Sequence, residues 1–171
     1  MSVVDAVSLN EQENISSTVI IARQGASAEE IGSSIGIAMP EANRWTADRG
    51  MVAMSIAPQN WVVHQRDAPA RWFGDLEQRV PGLASLSELT GAYRFFQLHG
   101  PQAGTLLQRG MAIDFHDSVF PSGTVALSAI AHIDVSVRCL EPGTAYEVIV
   151  SRSYAESYLR WFHTALAGIA P

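Results

Sequence analysis

The chain has 171 residues, of which 47% are hydrophobic, and this length suits one domain or two small fused lobes with a substantial core. Its formal net charge of −6 excludes the basic footprint that a nucleic-acid-binding protein needs. All 11 cationic residues are arginines, which excludes chemistry that needs a Schiff-base lysine or a phosphate-binding lysine.

The low charge content bears on whether the chain works alone. Only 16% of the residues are charged, below the roughly 25% that is usual for soluble proteins. Such a surface leaves apolar area that a partner can cover, so the composition fits an obligate subunit. It fits a compact monomer with a rich core equally well.

We expect a cytoplasmic protein that is not attached to a membrane. The N-terminus has no cationic region followed by an apolar run, so it does not look like a signal peptide. No apolar segment approaches the ~20 residues that cross a bilayer. The single cysteine, Cys139, excludes an internal disulfide, and nothing therefore indicates an oxidising compartment.

The first half of the chain predicts the element order β-α-β-β-α. Residues 1–17 are polar and are predicted to be an unpacked arm that lies along a partner. The predicted elements that follow are a strand at 18–22, a helix with a capping box of Ser27 and Glu30, a loop at 39–49, strands at 51–57 and 61–64, and a helix capped by Asp67.

The second half roughly repeats this order, with one strand more. Its predicted elements are a strand at 93–98, a helix at 102–109, strands at 125–131, 133–140 and 146–150, and a terminal helix capped by Ser153 with Glu156. We therefore predict an α+β fold in which two pseudo-repeated β-α-β-β-α units form a two-layer sandwich. One duplicated domain would span 18–171, with half-repeats of about 18–82 and 85–170.

Two histidine–aspartate pairs are the candidates for chemistry. His132 and Asp134 lie two apart on a predicted strand, so their side chains would point to the same side. Such a pair suits a general base with its orienting carboxylate, or two ligands of a metal. A third ligand is missing at suitable spacing, and a hydrogen bond at the strand edge is the simpler role. His116 and Asp117 are adjacent in a loop, where their side chains need not converge.

No motif completes an active site. Cys139 alternates with Ile133, Val135 and Val137 and is predicted to be a buried structural thiol. Gly32–Gly36 lacks the lysine of a phosphate loop, and no nucleophile elbow, CxxC, HExxH or dinucleotide fingerprint stands in its proper context. We therefore expect no catalytic, cofactor-binding or metal-binding residue in this chain. A duplicated α+β fold without such residues suggests a component of an assembly.

A series of short motifs between Leu86 and Leu166 carries a family resemblance. They are Gly100-Pro101, Ala103 with Leu106-Leu107, Asp114, Phe120-Pro121-Ser122-Gly123, Ile133-Asp134 and Val150-Ser151-Arg152-Ser153. In this order and spacing the second half resembles the γ subunit of heterotetrameric sarcosine oxidase. The first half is similar to that family in length and helix order only.

More distantly, the chain is similar to the folate-binding domains of the glycine-cleavage T protein, an aminomethyltransferase. Those domains carry an acidic pair on the strand corresponding to Ile133-Asp134, and an asparagine-containing turn before the last helix. Here the pair is reduced to Asp134, and Arg152-Ser153 occupies the turn. The resemblance therefore implies a folate-type shell that has become an interaction subunit, and it leaves open whether folate binding at Asp134 persists.

The resemblance implies a non-catalytic accessory subunit of a flavoenzyme that oxidatively demethylates sarcosine to glycine. The reaction would use O2 and tetrahydrofolate and yield H2O2 and methylene-tetrahydrofolate. FAD, FMN, NAD, tetrahydrofolate and zinc would belong to the partners, which are the α, β and δ subunits, and Arg152 and Arg160 are candidate contacts. Two alternatives stay open: a free-standing folate-binding or aminomethyltransferase-like protein with Asp134 handling a proton, and a homodimeric α+β binding module. The sequence does not choose between sarcosine, other N-methyl amino acids and opine-like amines.

Overall fold

A computed structural model of the chain describes residues 6–169. The chain divides into two compact units, which we call the first unit (residues 13–91) and the second unit (residues up to 12 together with those from 92 onward). Strand β1 (Ser8–Gln12) belongs to the second unit. Each unit contains one five-stranded antiparallel sheet.

The first unit contains five strands and two helices. Its elements are β2 (Ile15–Ala22), α1 (Ala28–Ile35), β3 (Trp45–Asp48), β4 (Met51–Ala57), β5 (Asn60–Arg66), α2 (Trp72–Arg79) and β6 (Ala84–Glu88). The strand order in the sheet is β3-β4-β5-β2-β6.

The second unit repeats the pattern. Its remaining elements are β7 (Tyr93–His99), α3 (Ala103–Gln108), β8 (Val125–Ile130), β9 (Ile133–Glu141), β10 (Ala145–Ser151), a 3-10 turn (Arg152–Tyr154) and α4 (Ala155–Ala167). The strand order is β1-β7-β10-β9-β8. None of the helices within residues 6–169 is long and apolar enough to cross a membrane.

The core of the second unit lies between one sheet face and the two helices. Because side chains alternate along a strand, every second residue of β7, β9 and β10 points to the helices. The buried cluster contains Phe96, Leu98, Ile133, Val135, Val137, Cys139, Tyr146, Val148 and Val150 from the strands, with Leu106, Leu107, Tyr158 and Phe162 from the helices. The predicted alternation that ends at Cys139 is thus confirmed, and the opposite sheet face is left for other groups.

The first unit is built in the same way. Ile20 of β2 and Val63 of β5 face Ile31 and Ile35 of α1, and Leu76 of α2 joins this buried cluster. The capping box of α1 is confirmed. The Ser27 hydroxyl accepts the Glu30 backbone N–H at 3.2 Å, and the Glu30 carboxylate accepts the Ser27 N–H at 2.8 Å. These bonds to Ser27 hold the pKa of Glu30 below its usual value.

The prediction of an α+β fold with antiparallel strands is confirmed, but each unit has more strands than β-α-β-β-α. β3 lies inside the predicted 39–49 loop, and β6 follows α2 where no strand was expected. β3 is only four residues long and turns into β4 through Arg49 and Gly50, both in the left-handed conformation at φ 48° and 85°. Such a short strand is hard to predict from sequence when its hairpin turn begins with arginine instead of the usual asparagine, aspartate or glycine.

The expectation of an unpacked arm over 1–17 does not hold for most of that segment. Residues 8–12 form β1, which pairs with β7 from Ser8 opposite His99 to Gln12 opposite Phe95, and β2 already begins at Ile15. Residues 1–5 lie outside the described part of the chain. Edge pairing needs only backbone groups, so a polar segment can form it without an apolar pattern. The exposed Glu11–Arg94 ion pair, at 2.6 Å, joins β1 to β7 by side chains as well.

The predicted caps of two later helices are wrong. The N-cap of α2 is Arg71, and Asp67 instead lies just after β5 with φ 49°. The N-cap of α4 is Tyr154, because Ser153 lies within the preceding 3-10 turn. Neither N-cap makes a side-chain cap hydrogen bond. Both errors arise where a turn shifts the helix start beyond the polar residue.

Two helical glycines of the first unit give opposite predictions. A Cβ on Gly32 would lie 2.7 Å from the Ile37 carbonyl oxygen and 3.2 Å from the Met39 nitrogen, and backbone atoms cannot easily move away. We expect Gly32→Ala to lower the free energy of unfolding by about 1–3 kcal/mol. A Cβ on Gly74 meets nothing within 4 Å. Gly74→Ala should therefore raise that free energy by about 0.5–1 kcal/mol. Urea unfolding followed by circular dichroism measures both, and equal effects would contradict the proposed close approach at Gly32.

Candidate functional site

An open cavity of about 500 Å³ lies on one face of the second sheet. Asp134, Ser136, Ile149 and Ser151 alternate with core residues of β9 and β10, so the cavity lies on the sheet face opposite the two helices. We call it the sheet-face cavity. It is lined by Tyr93, Leu127, Ser128, Asp134, Val135, Ser136, Ile149 and Ser151.

The lining combines one carboxylate with hydroxyl groups and apolar walls. Asp134 is exposed and is the only charged residue in the lining. It is opposite Ala129 of the neighbouring strand β8, and among the described residues it has no ion-pair partner. The side chains of Leu127 and Ile149 contribute apolar surface. Such a cavity can hold a polar or cationic group by hydrogen bonds, but one carboxylate alone is not an acid–base pair.

The structure does not bring His132 and Asp134 together on a strand as predicted. Ala131 and His132 form the two-residue turn between β8 and β9, with φ 49° and 67°. Positive φ at both central residues is the type I′ geometry that matches strand twist in a hairpin. His132 is therefore an exposed turn residue, and only Asp134 lies on the strand. This turn was not predicted from the sequence because alanine and histidine are unusual at the two central positions of a type I′ turn.

The second pair also remains separate. The His116 Nδ1 lies 2.8 Å from the Ser118 hydroxyl, and the His116 backbone N–H donates to the Asp114 carboxylate at 2.9 Å. These are local turn contacts. Asp117 instead lies close to Gly143, since a Cβ added to Gly143 would be 3.2 Å from the Asp117 carboxylate. Within residues 6–169 no group of three or more metal-ligating side chains is arranged to hold a metal ion.

Cys139 is buried, as predicted, and its thiol is held in the neutral form. Burial, together with the negative charge of Asp117, raises the pKa of Cys139 to about 11. Burial also raises the pKa of Tyr146, whose hydroxyl accepts the Gly143 backbone N–H at 2.9 Å. A protonated, inaccessible thiol is a poor nucleophile at neutral pH.

A buried ion pair, which sequence analysis missed, lies on the cavity side of the sheet. The Arg138 Nε donates to Glu147 at 2.7 Å, and the two side chains are only 7% and 4% exposed. Gln97 donates to the other Glu147 oxygen at 3.2 Å. Arg138 and Glu147 are directly opposite each other on β9 and β10. Along each strand, Arg138 and Glu147 alternate with the core residues, so both point to the other sheet face. Only the strand register shows that they lie opposite each other.

This ion pair has a structural consequence. Removing two charges from water is costly, and their attraction offsets the cost only when geometry and additional hydrogen bonds are good. A shift of β9 by one residue would turn Arg138 towards the apolar core. The pair therefore selects one register for the strands that carry the cavity.

Comparison with known proteins identifies the family. A family model described as "Sarcosine oxidase, gamma subunit family" matches residues 22–168 of the chain. The chain belongs to the sarcosine oxidase gamma subunit family. The match includes the first half, where the sequence resemblance rested on length and helix order alone. No curated protein sequence matches the chain significantly.

Two solved structures share the fold. A chain in the heterotetrameric sarcosine oxidase from Corynebacterium sp. U-96, in complex with pyrrole 2-carboxylate, is 18% identical and superposes with a TM-score of 0.88. That match covers 98% of this chain and 87% of the other. The glycine cleavage system aminomethyltransferase T from Bartonella henselae is 14% identical with a TM-score of 0.65. There the match covers 92% of this chain but only 45% of the other, so this chain spans less than half of that enzyme.

Breaking the buried ion pair should be far more costly than breaking the exposed one. Glu147→Gln removes the carboxylate that pairs with the buried Arg138 guanidinium, and we expect a loss of about 3–5 kcal/mol in the free energy of unfolding. Glu11→Gln removes the partner of Arg94, whose side chain is 42% exposed, and is the matched control. The control should lose less than about 1 kcal/mol. Denaturant unfolding of both variants makes the comparison, and similar losses would argue against a register-selecting role.

Proposed function

We propose that this chain is the non-catalytic γ subunit of a sarcosine oxidase-like heterotetrameric flavoenzyme in the cytoplasm. The complex oxidatively demethylates sarcosine to glycine with O2 and tetrahydrofolate, giving H2O2 and methylene-tetrahydrofolate. The α, β and δ subunits are its partners, and they carry FAD, FMN, NAD, tetrahydrofolate and zinc. The family match over residues 22–168 is the observation that carries this proposal.

The geometry of the candidate residues supports an accessory role. His132 lies in a turn, His116 contacts Ser118, and Asp134 is the single charge in the sheet-face cavity. General acid–base chemistry needs a proton-transferring group held within hydrogen-bond reach of a second polar group or the substrate. Neither predicted pair supplies that arrangement in the described residues. The chain provides instead a scaffold of two antiparallel sheets, each packed against helices.

Such a subunit can contribute a surface whose strands are held in place. In the second unit, backbone ladders join five strands and the Arg138–Glu147 pair selects their register. A surface supported in this way can hold the α subunit and close part of its folate-side cavity with little loss of conformational entropy in its own strands. The chain would then contribute to turnover by excluding water and holding geometry on its partner.

A folate-binding role is the second candidate, and one observation favours it. Asp134 lies in a cavity of about 500 Å³ that has hydroxyl and apolar walls, a size and lining suited to a heteroaromatic ligand. The fold is also shared with an aminomethyltransferase at a TM-score of 0.65. In this reading the chain works alone and Asp134 handles a proton.

Gentle purification of the tagged chain from its native host tests the accessory role directly. We expect four different polypeptides to be recovered together, with flavin absorbance that stays with the other subunits when the complex is dissociated. The reason is that cofactor-borne redox chemistry requires a flavin site, whereas this chain supplies a scaffold. A chain recovered alone and colourless would refute the subunit proposal.

Titration of the purified chain with tetrahydrofolate separates the two candidates. An accessory subunit should show no saturable binding up to about 1 mM, which corresponds to a binding free energy weaker than about −4 kcal/mol. A folate-binding protein should bind in the micromolar range, and Asp134→Asn should weaken that binding at least about 10-fold because a charged hydrogen bond is lost. Binding that Asp134→Asn leaves unchanged would place any folate site elsewhere.

A further inference from the structure

Four strands of the described residues lie at sheet edges, and one of them lacks the charged residue that each of the other three carries. The edges are β1 and β8 in the second sheet and β3 and β6 in the first. β1 carries Glu11, β3 carries Asp48 and β6 carries Glu88. β8 reads Val-Ala-Leu-Ser-Ala-Ile and has neither a charge nor a proline. Charged edge residues prevent unwanted pairing with other chains, so β8 is the edge without that protection.

The hydrogen-bond pattern shows which backbone groups of β8 are available. The Cys139 N–H donates to the Thr124 carbonyl at 2.9 Å, and the register continues as Val125 opposite Arg138. Hydrogen-bonded pairs alternate with non-hydrogen-bonded pairs in an antiparallel ladder. Thr124, Ala126, Ser128 and Ile130 therefore face β9, whereas the N–H and C=O groups of Val125, Leu127 and Ala129 point away from the sheet.

Side-chain exposure at this edge agrees with an accessible surface. Leu127 is 54% exposed, although it lies in the middle of a strand, and Ala129 is exposed beside it. Leu127 also forms a wall of the sheet-face cavity. An exposed leucine with outward backbone donors and acceptors is the arrangement that a strand-addition site needs.

We propose that β8 is the docking site for an extended segment of another subunit, which adds a sixth strand to the second sheet. This inference rests on the proposed function, because it identifies a contact surface for a partner within that complex. The segment would pair antiparallel or parallel with the outward groups of Val125, Leu127 and Ala129. It would place an apolar side chain against Leu127.

The charges of the chain favour a partner with a cationic residue over a second copy. The net charge is −6, so pairing two copies along β8 would bring two acidic chains together. Asp134 is opposite Ala129 on the strand behind β8 and lacks an ion-pair partner among the described residues. An added strand would lie about 10 Å from β9, which a lysine or arginine side chain can span to reach Asp134. The occupant is therefore an extended apolar segment that carries a lysine or arginine.

Proline scanning can remove the outward N–H without touching the β8–β9 ladder. Ala129→Pro deletes one outward donor, and proline is tolerated at an edge strand where the N–H faces solvent. Ala47 is the matched control, because it is exposed and stands at the same distance before the two-residue turn of β3 and β4. The Ser55 N–H donates to the Arg44 carbonyl, so Ala47 also points its N–H outward.

Each variant is co-expressed as the tagged full chain with the other subunits, and the recovered complex is measured by native mass spectrometry. We expect Ala129→Pro to lower the yield of the heterotetramer at least about 10-fold, the scale of one buried hydrogen bond left unmade. Ala47→Pro should assemble like the unmodified chain. Circular dichroism of both purified variants must show equal folding. Normal assembly of a folded Ala129→Pro variant would overturn the proposal, as would equal loss with Ala47→Pro.

Hydrogen exchange supplies an independent measurement on the unmodified chain. The amides of Val125, Leu127 and Ala129 should exchange slowly in the complex and at least about 10-fold faster in the isolated chain, because their outward N–H groups are satisfied only by the added strand. Unchanged exchange would contradict strand addition.

A dimer of the isolated chain that Ala129→Pro converts to a monomer would make a second copy the occupant and overturn the proposed partner. If the unmodified chain joins no complex, the proposed function itself fails, and this outcome differs from all the others.

Discussion

The two-residue repeat of side chains along β9 and β10 is the constraint on which the second unit depends. One set of positions, including Val135, Val137 and Val148, enters the core beneath the helices. The alternate set then has to occupy the other face, and it includes Asp134 in the cavity and the Arg138–Glu147 pair. Apolar residues on one face therefore determine where the polar groups stand on the other.

The sequence predicted those parts of the fold whose signals are local. The capping box of Ser27 and Glu30 and the alternation ending at Cys139 are both confirmed, because each depends on residues a few positions apart. The short strand β3 and the turn at Ala131 and His132 were missed, since neither contains the residues that usually mark such elements. Arg138 and Glu147 meet only through strand register, which composition cannot reveal.

The candidate site was predicted less well than the fold. Asp134 was singled out on its own strand, but its supposed partner His132 lies in the turn that precedes it. The cavity around Asp134 is formed by residues of β7, β8, β9 and β10, which come from distant parts of the second half. The family resemblance, rather than any catalytic pattern, carried the functional prediction, and the match over residues 22–168 confirms that family.

The position of β1 has a consequence for the order of folding during synthesis. β1 is the edge strand next to β7 in the second sheet, just as β6 is the edge strand next to β2 in the first sheet. However, about eighty residues of chain separate β1 from β7. The ribosome therefore releases this edge strand before its sheet exists, while the whole first unit can fold in between. Closing such a long loop makes the second unit rich in non-local contacts and slow to complete. Until then, the edge of β7 remains open to wrong partners in the nascent chain.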